Sequence, residues 1–123
     1  NCIAQRATIT ALNEPITKIQ YMIDEFAKRR EIIIKLLKDI PGIKLNKPSG
    51  AFYVFPDVSS YFGKVLKGKK IKNATDFALY LLEKAHVATV TGEAFGSANN
   101  IRISYAASRE NIKKAVDRIK SIF

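Results

Sequence analysis

The sequence holds one cysteine and one histidine in 123 residues. A lone cysteine, Cys2, cannot close an internal disulfide, which fits a reducing compartment. With His86 far away in sequence, Cys2 also lacks the oriented base that a catalytic thiol requires. No pairing of Cys and His at zinc-ligand spacing is present, and no two carboxylates stand at a spacing that suggests acid–base work. There is no G-x-x-x-x-G-K-[ST] phosphate loop. No apolar run approaches the ~18 residues of a membrane-spanning helix, and no signal peptide is visible. Neither a repeat period nor a low-complexity linker divides the chain. Acidic residues are few, 11 against 21 Lys and Arg, for a formal charge of +10. Such a balance raises the question of nucleic acid or another anionic partner. The lysines are spread along the chain, however, and the densest run, Lys64 to Lys72, reads as a solvated loop broken by Gly68.

What is present is a globular pattern, 47% hydrophobic and long enough for one domain with a core. Residues 1–12 carry a short helical pattern. Asn13-Glu14-Pro15 reads as the start of a long helix, with Asn13 as its cap and Pro15 in its first turn. Ile16, Ile19, Ile23, Phe26, Ile33, Leu37 and Ile40 follow at alternating spacings of three and four, with the Arg30 stem in line. Pro41-Gly42 ends the helix, which would be on the order of 36 Å long. Glu14–Lys18, Asp24–Lys28, Glu25–Arg29 and Glu31–Lys35 are spaced for ion pairs along it. Short strands are expected at residues 43–45, 51–55, 87–90 and 101–105, with Phe52 and Tyr53 expected in the core. Asn73 is placed to cap a second helix that buries Phe77, Leu81 and Ala85 with Ala78 and Leu82. Ser108 is placed to cap a last one that buries Ile112, Ala115, Val116 and Ile119. His86 reads as a helix-end residue. The fold class is α+β: a small, mostly antiparallel or mixed sheet of about four strands covered by helices, preceded by a long helix.

The stretch Thr91 to Ser108, TGEAFGSANNIRISYAAS, stands apart. Gly92 and Gly96 bracket a tight loop, and Asn99-Asn100 signals a turn. Ile101, Ile103 and Tyr105 then alternate with Arg102, Ser104 and Ala106. At period 2 the first set faces a core and Arg102 faces away from it. An arginine on a strand beside such a loop can offer a planar fork to a carboxylate or phosphate. From spacing alone, a solvated edge-strand arginine is the other reading.

Three motifs in order bear on that choice. Ile3-Ala-Gln-Arg-Ala7, then Lys47-Pro-Ser-Gly-Ala-Phe-Tyr-Val-Phe-Pro-Asp57, then Gly92-Glu-Ala-Phe-Gly96 followed by Asn100-Ile-Arg-Ile-Ser-Tyr-Ala106 resemble the C-terminal portion of class I/II aminotransferases. These belong to the aspartate aminotransferase superfamily of enzymes dependent on pyridoxal 5'-phosphate. Thr91 departs from the pattern, where proline is common, and leaves the rigidity of the loop open.

The resemblance implies that residues 1–14 end a large-domain segment, 15–40 form the interdomain connecting helix, and 41–123 form the C-terminal small domain. It implies that Arg102 holds the substrate α-carboxylate. It carries no catalytic, cofactor-binding or metal-binding residue onto this chain, because the cofactor lysine and its companions belong upstream of the Ile3 motif. Pyridoxal phosphate is therefore expected in the full-length enzyme and not on this fragment alone, which is expected to be inactive. The implied partners are an amino acid, a 2-oxo acid, the large domain of the same polypeptide and a second copy in a cytoplasmic homodimer. No membrane contact is implied, and nucleic acid is disfavoured. Two readings of other classes are a basic α+β module that binds nucleic acid, and a freestanding regulatory domain that binds an amino acid through Arg102 without chemistry.

Overall fold

The computed structural model describes residues 1–123. Helix α1 spans Cys2–Asn13, and the Asn1 side chain caps it by accepting from the Ile3 and Ala4 amides. The long helix does not begin at Asn13. Asn13 instead closes α1, and Glu14, ahead of proline, is extended at φ −88° and ψ 148°. Pro15, itself extended at ψ 141°, leads into a 3₁₀ turn, Ile16–Ile19. Only then does α2 run, Gln20–Lys38, about 28 Å long. The proline signal was real, but it separates two helices rather than opening one. Along this segment the Glu14–Lys18 and Glu25–Arg29 pairs form. Asp24 instead accepts from Gln20, and Glu31 reaches Lys47 at 2.7 Å.

The main sheet has three antiparallel strands in the order β1-β5-β4: β1 Tyr53–Val54, β4 Val90–Thr91 and β5 Ile101–Ser104. The register pairs Tyr53 with Ser104, Val54 with Ile103, and Val90 with Arg102. The α+β class holds, with fewer and shorter main-sheet strands than expected. Residues 43–45 shrink to one bridge, Lys44 with Asp57. β1 is short because Ala51 before it turns left-handed at φ 63° and Pro56 after it has no N–H for the ladder. The lysine run is a hairpin rather than a loop. β2 (Val65–Leu66) pairs with β3 (Lys69–Lys70) across Lys67-Gly68, both at positive φ as a tight hairpin turn demands.

Helix α3, Ala74–Ala85, starts with a reciprocal cap. Asn73 accepts from the Asp76 amide at 2.8 Å while Asp76 accepts from the Lys72 amide at 3.0 Å. It ends at His86, left-handed and exposed, as a helix-end residue should be. Helix α4, Arg109–Lys120, is capped by Ser108, which accepts from Asn111 at 3.1 Å.

The core lies between the sheet and α2, α3 and α4. Ile33, Leu37, Val54, Phe77, Leu81, Ile101, Tyr105 and Ile119 are essentially sealed from solvent. Each apolar side chain of that size stabilises the fold by roughly 1.5–3 kcal/mol. Three expected core positions move outward: Phe52 is 51% exposed, Leu82 is exposed, and Tyr53 is half-buried. Tyr80 takes the inner position on α3 instead. On α2 the inner stripe is buried only from Ile33 onward. Ile16, Ile19 and Ile23 stay exposed, and α1 buries none of its residues.

Candidate functional site

The sheet has two unlike faces. Val54, Ile101, Ile103 and Tyr105 point into the core. The register then sends Tyr53, Phe55, Arg102 and Ser104 to the opposite, half-exposed face. Arg102 thus stands where the alternation of β5 predicts.

Its guanidinium carbon lies 4.6 Å from the Phe95 ring centroid and 5.5 Å from that of Tyr53. Both separations are within cation–π range. None of the seven ion pairs of the chain includes Arg102, so no carboxylate of the chain neutralises it. Tyr53 connects it to an open concavity of about 510 Å³, lined by residues 46–51 with Tyr53, Phe55 and Asn100 but not by Arg102 itself. A positive fork on a strand next to a polar hollow is suited to an anionic ligand.

The loop before the strand is more rigid than its threonine suggested. Residues Gly92–Phe95 form one 3₁₀ turn. Gly92 is buried, and a Cβ there would collide with the carbonyl oxygens of Ser97 and Asn100, so only glycine fits. Its amide donates to Asn100 at 2.7 Å, and its carbonyl accepts from Ser97 at 3.0 Å. Thr91 does by hydrogen bonding what a proline would do by its ring. Its hydroxyl accepts from the Glu93 amide, and the Thr75 hydroxyl on α3 lies 3.0 Å from it and 3.2 Å from the Glu93 carboxylate. Gly96 closes the turn at φ 76°.

A second, apolar hollow of about 490 Å³ lies between α2 and residues 49–52, lined chiefly by Ile19, Met22, Ile23, Phe26 and Phe52. Arg30 crosses its floor and donates to the carbonyls of Pro48 and Ser49 at 3.3 and 3.4 Å. Tyr105 donates its hydroxyl to the Ala51 carbonyl at 2.8 Å. The Pro48–Phe52 turn is thereby pinned from below. On the same half of the helix, Glu25 accepts from Arg109 and from Arg29, tying α2 to the start of α4. These hydrogen bonds, Arg109's first, hold the Glu25 carboxyl down to about 2.

Residues 2–119 match the sequence pattern of the family described as aminotransferase class I and II. This chain belongs to that family. The aspartate aminotransferase of Rhizobium meliloti strain 1021 is 44% identical over 118 residues, which are 95% of this chain and 29% of that protein. A bifunctional aspartate aminotransferase and glutamate/aspartate-prephenate aminotransferase of Petunia hybrida is 43% identical over 122 residues. The chain is similar in structure to the aspartate aminotransferase of Rhizobium meliloti, with a TM-score of 0.90 at 43% identity, covering 98% of this chain and 30% of that one. Against the alanine aminotransferase of Pyrococcus furiosus the TM-score is 0.83 at 34% identity, over 96% of this chain and 28% of that one. The chain therefore spans under a third of the length of these aminotransferases.

The family implies pyridoxal phosphate in the full enzyme. The residues present do not form a site for it. Schiff-base chemistry needs a lysine that can shed its proton in an enclosed pocket. No lysine here is buried, and Lys47, which lines the hollow near Arg102, is exposed and paired with Glu31 at 2.7 Å. No group of three or more His, Cys, Asp or Glu side chains converges as a metal site would, and no helix is long and apolar enough to cross a membrane.

Sequence reasoning placed Arg102 on the outer face but missed what surrounds it. The sequence assigns Phe95 no role, and Tyr53, expected in the core, stands on the outer face. Phe95 sits three residues past the buried Gly92 and just before the left-handed Gly96, at the end of the 3₁₀ turn, and its contact with Arg102 appears only in the fold. Sequence reasoning also missed that Tyr53 and Phe55 stand two apart on the half-exposed face.

Proposed function

We propose that this chain is the part of a pyridoxal-phosphate-dependent aminotransferase that holds the substrate by its α-carboxylate, through Arg102. In this reading residues 1–14 end the large domain, 15–40 connect the domains, and 41–123 form the small domain. The whole enzyme moves an amino group between an amino acid and a 2-oxo acid, and the cofactor, when bound to the large domain, supplies the electron sink for that chemistry. This chain supplies grip and orientation.

One observation carries the reading: the Arg102 guanidinium is fixed by two aromatic rings and left unneutralised beside a polar hollow. A carboxylate arriving there meets a fork whose two N–H groups match its two oxygens, so it is fixed in direction as well as in place. The grip acts on what all amino acids share. That fits the likeness of one segment to enzymes named for aspartate and for alanine. The relatives named aspartate aminotransferase support aspartate as the amino donor. The exposed apolar side chains Ile3, Ile9, Leu12, Ile16, Ile19 and Ile23 support the large domain of the same polypeptide as a covering partner.

The test is Arg102→Ala in the complete enzyme. Loss of a buried charge-assisted pair predicts a fall in kcat/KM of roughly a hundred- to a few-thousandfold, about 3–5 kcal/mol, with cofactor absorbance retained. Arg102→Lys is expected to fail as well, because lysine has no fork. Turnover at the parent level in Arg102→Ala would remove the role.

A further inference from the structure

Because a salt bridge would occupy the donors of Arg102, the chain has to aim this side chain by other means. It does so with aromatic faces. We propose that Phe95 is a positioning residue for Arg102, a role that rests on reading Arg102 as the carboxylate clamp. The Phe95 ring is the nearer of the two that flank the guanidinium, at 4.6 Å against 5.5 Å for Tyr53. A ring face attracts the cation without accepting its N–H groups as a carboxylate would. The in-plane fork stays free for a carboxylate, and the side chain gives up its rotamer freedom before the ligand arrives.

Phe95 is itself held on three sides. Its ring packs edge-on against Phe55, at 6.2 Å and 88°. The turn that carries it, Gly92–Phe95, starts at a glycine wedged against the Ser97 and Asn100 carbonyls. The turn is also moored to α3, where Thr75 reaches both Thr91 and Glu93. Phe95 is nevertheless 49% exposed, so little of the fold depends on its burial. A half-exposed aromatic whose support runs through a capped turn into a neighbouring helix is arranged to hold a side chain rather than to fill a core.

The experiment uses the complete enzyme with Phe95→Leu and Phe95→Tyr, each alone and Phe95→Leu also with Arg102→Ala. Leucine keeps apolar bulk and loses the ring face, whereas tyrosine keeps the face. Phe95→Leu is expected to raise KM for the amino acid and for the 2-oxo acid together, roughly five- to thirtyfold, with kcat little changed. Phe95→Tyr should restore KM to within about twofold, and cofactor absorbance should be the same in every variant. In single turnovers at high substrate, Phe95→Leu should cost nothing further once Arg102 is alanine, because there is then no guanidinium to aim. Parent-level KM in Phe95→Leu overturns the proposal. So does equal loss with leucine and tyrosine, or a full additional loss on the Arg102→Ala background. If Arg102→Ala itself turns over like the parent, the clamp reading falls first. If Arg102→Ala fails while Phe95→Leu binds normally, the clamp stands and only the positioning role is lost.

Discussion

Replacing Gly92 by alanine tests the architecture of the loop more sharply than any polar change. The added methyl has no room, because it would collide with the backbone carbonyls of Ser97 and Asn100. Backbone cannot rotate aside as a long side chain can, so the 92–100 segment must open. Opening sacrifices the Gly92–Asn100 bond at 2.7 Å and the Ser97–Gly92 bond at 3.0 Å. Two backbone hydrogen bonds at ~1 kcal/mol each, with ~1–3 kcal/mol for forced packing, give a loss of about 3–5 kcal/mol if both bonds go and about 2–4 if one is kept. Gly96 is the control in the same loop. It sits at φ 76°, but a Cβ there meets nothing within 4 Å. Gly96→Ala should cost only the left-handed penalty, ~1–2 kcal/mol. Urea unfolding of parent and both variants in the complete protein reads the difference. A loss for Gly92→Ala no larger than that for Gly96→Ala would refute the crowding argument.

Two further outcomes follow from the packing and the charges. Leu37, fully buried between α2 and its neighbours, should cost ~2–5 kcal/mol as alanine, whereas Leu82, 49% exposed, should cost under about 1 kcal/mol despite its place in the apolar pattern of α3. Equal losses in a thermal or urea series would mean that the outer side of α3 is covered. Glu25 has its folded carboxyl held down to about 2 against an ordinary value of 4.5, by Arg109 and then Arg29. Its contribution to stability is therefore complete above pH ~4.5 and fades as pH falls toward 2. Stability of the parent should drop across that window more steeply than that of Glu25→Gln. Parallel acid limbs in the two unfolding series would show that the bracket between α2 and α4 contributes nothing.

Where a local rule acts alone, the sequence announces it. Asn73 and Ser108 are capping residues ahead of apolar runs, and both cap as expected. Ile101, Ile103 and Tyr105 alternate against a core on one face only, so the direction of Arg102 follows from period 2. Where two rules compete, the sequence is ambiguous. Asn13-Glu14-Pro15 satisfies the start of one helix and the end of another, and what decides is that Pro15 stays extended. Val65 to Lys70 is too short and too charged to signal strands. The turn at Lys67-Gly68 makes it a hairpin, and lysine at positive φ is not a usual turn signal. Phe52 and Tyr53 look like core because aromatics on strands usually are. Their exposure is set by the left-handed turn at Ala51, by the unlike faces of the sheet and by Arg102 on Tyr53, none of which is local in sequence. The same limit hid Phe95: its role depends on a ring and a guanidinium seven residues apart being folded against each other.

A structure of the complete enzyme with its amino-acid substrate, or a non-reacting analogue that keeps the α-carboxylate, tests the central claim most directly. The account predicts both carboxylate oxygens about 2.7–2.9 Å from two guanidinium nitrogens of Arg102, with Phe95 and Tyr53 still against the guanidinium. A substrate carboxylate held by other residues, with Arg102 turned to solvent, would contradict it.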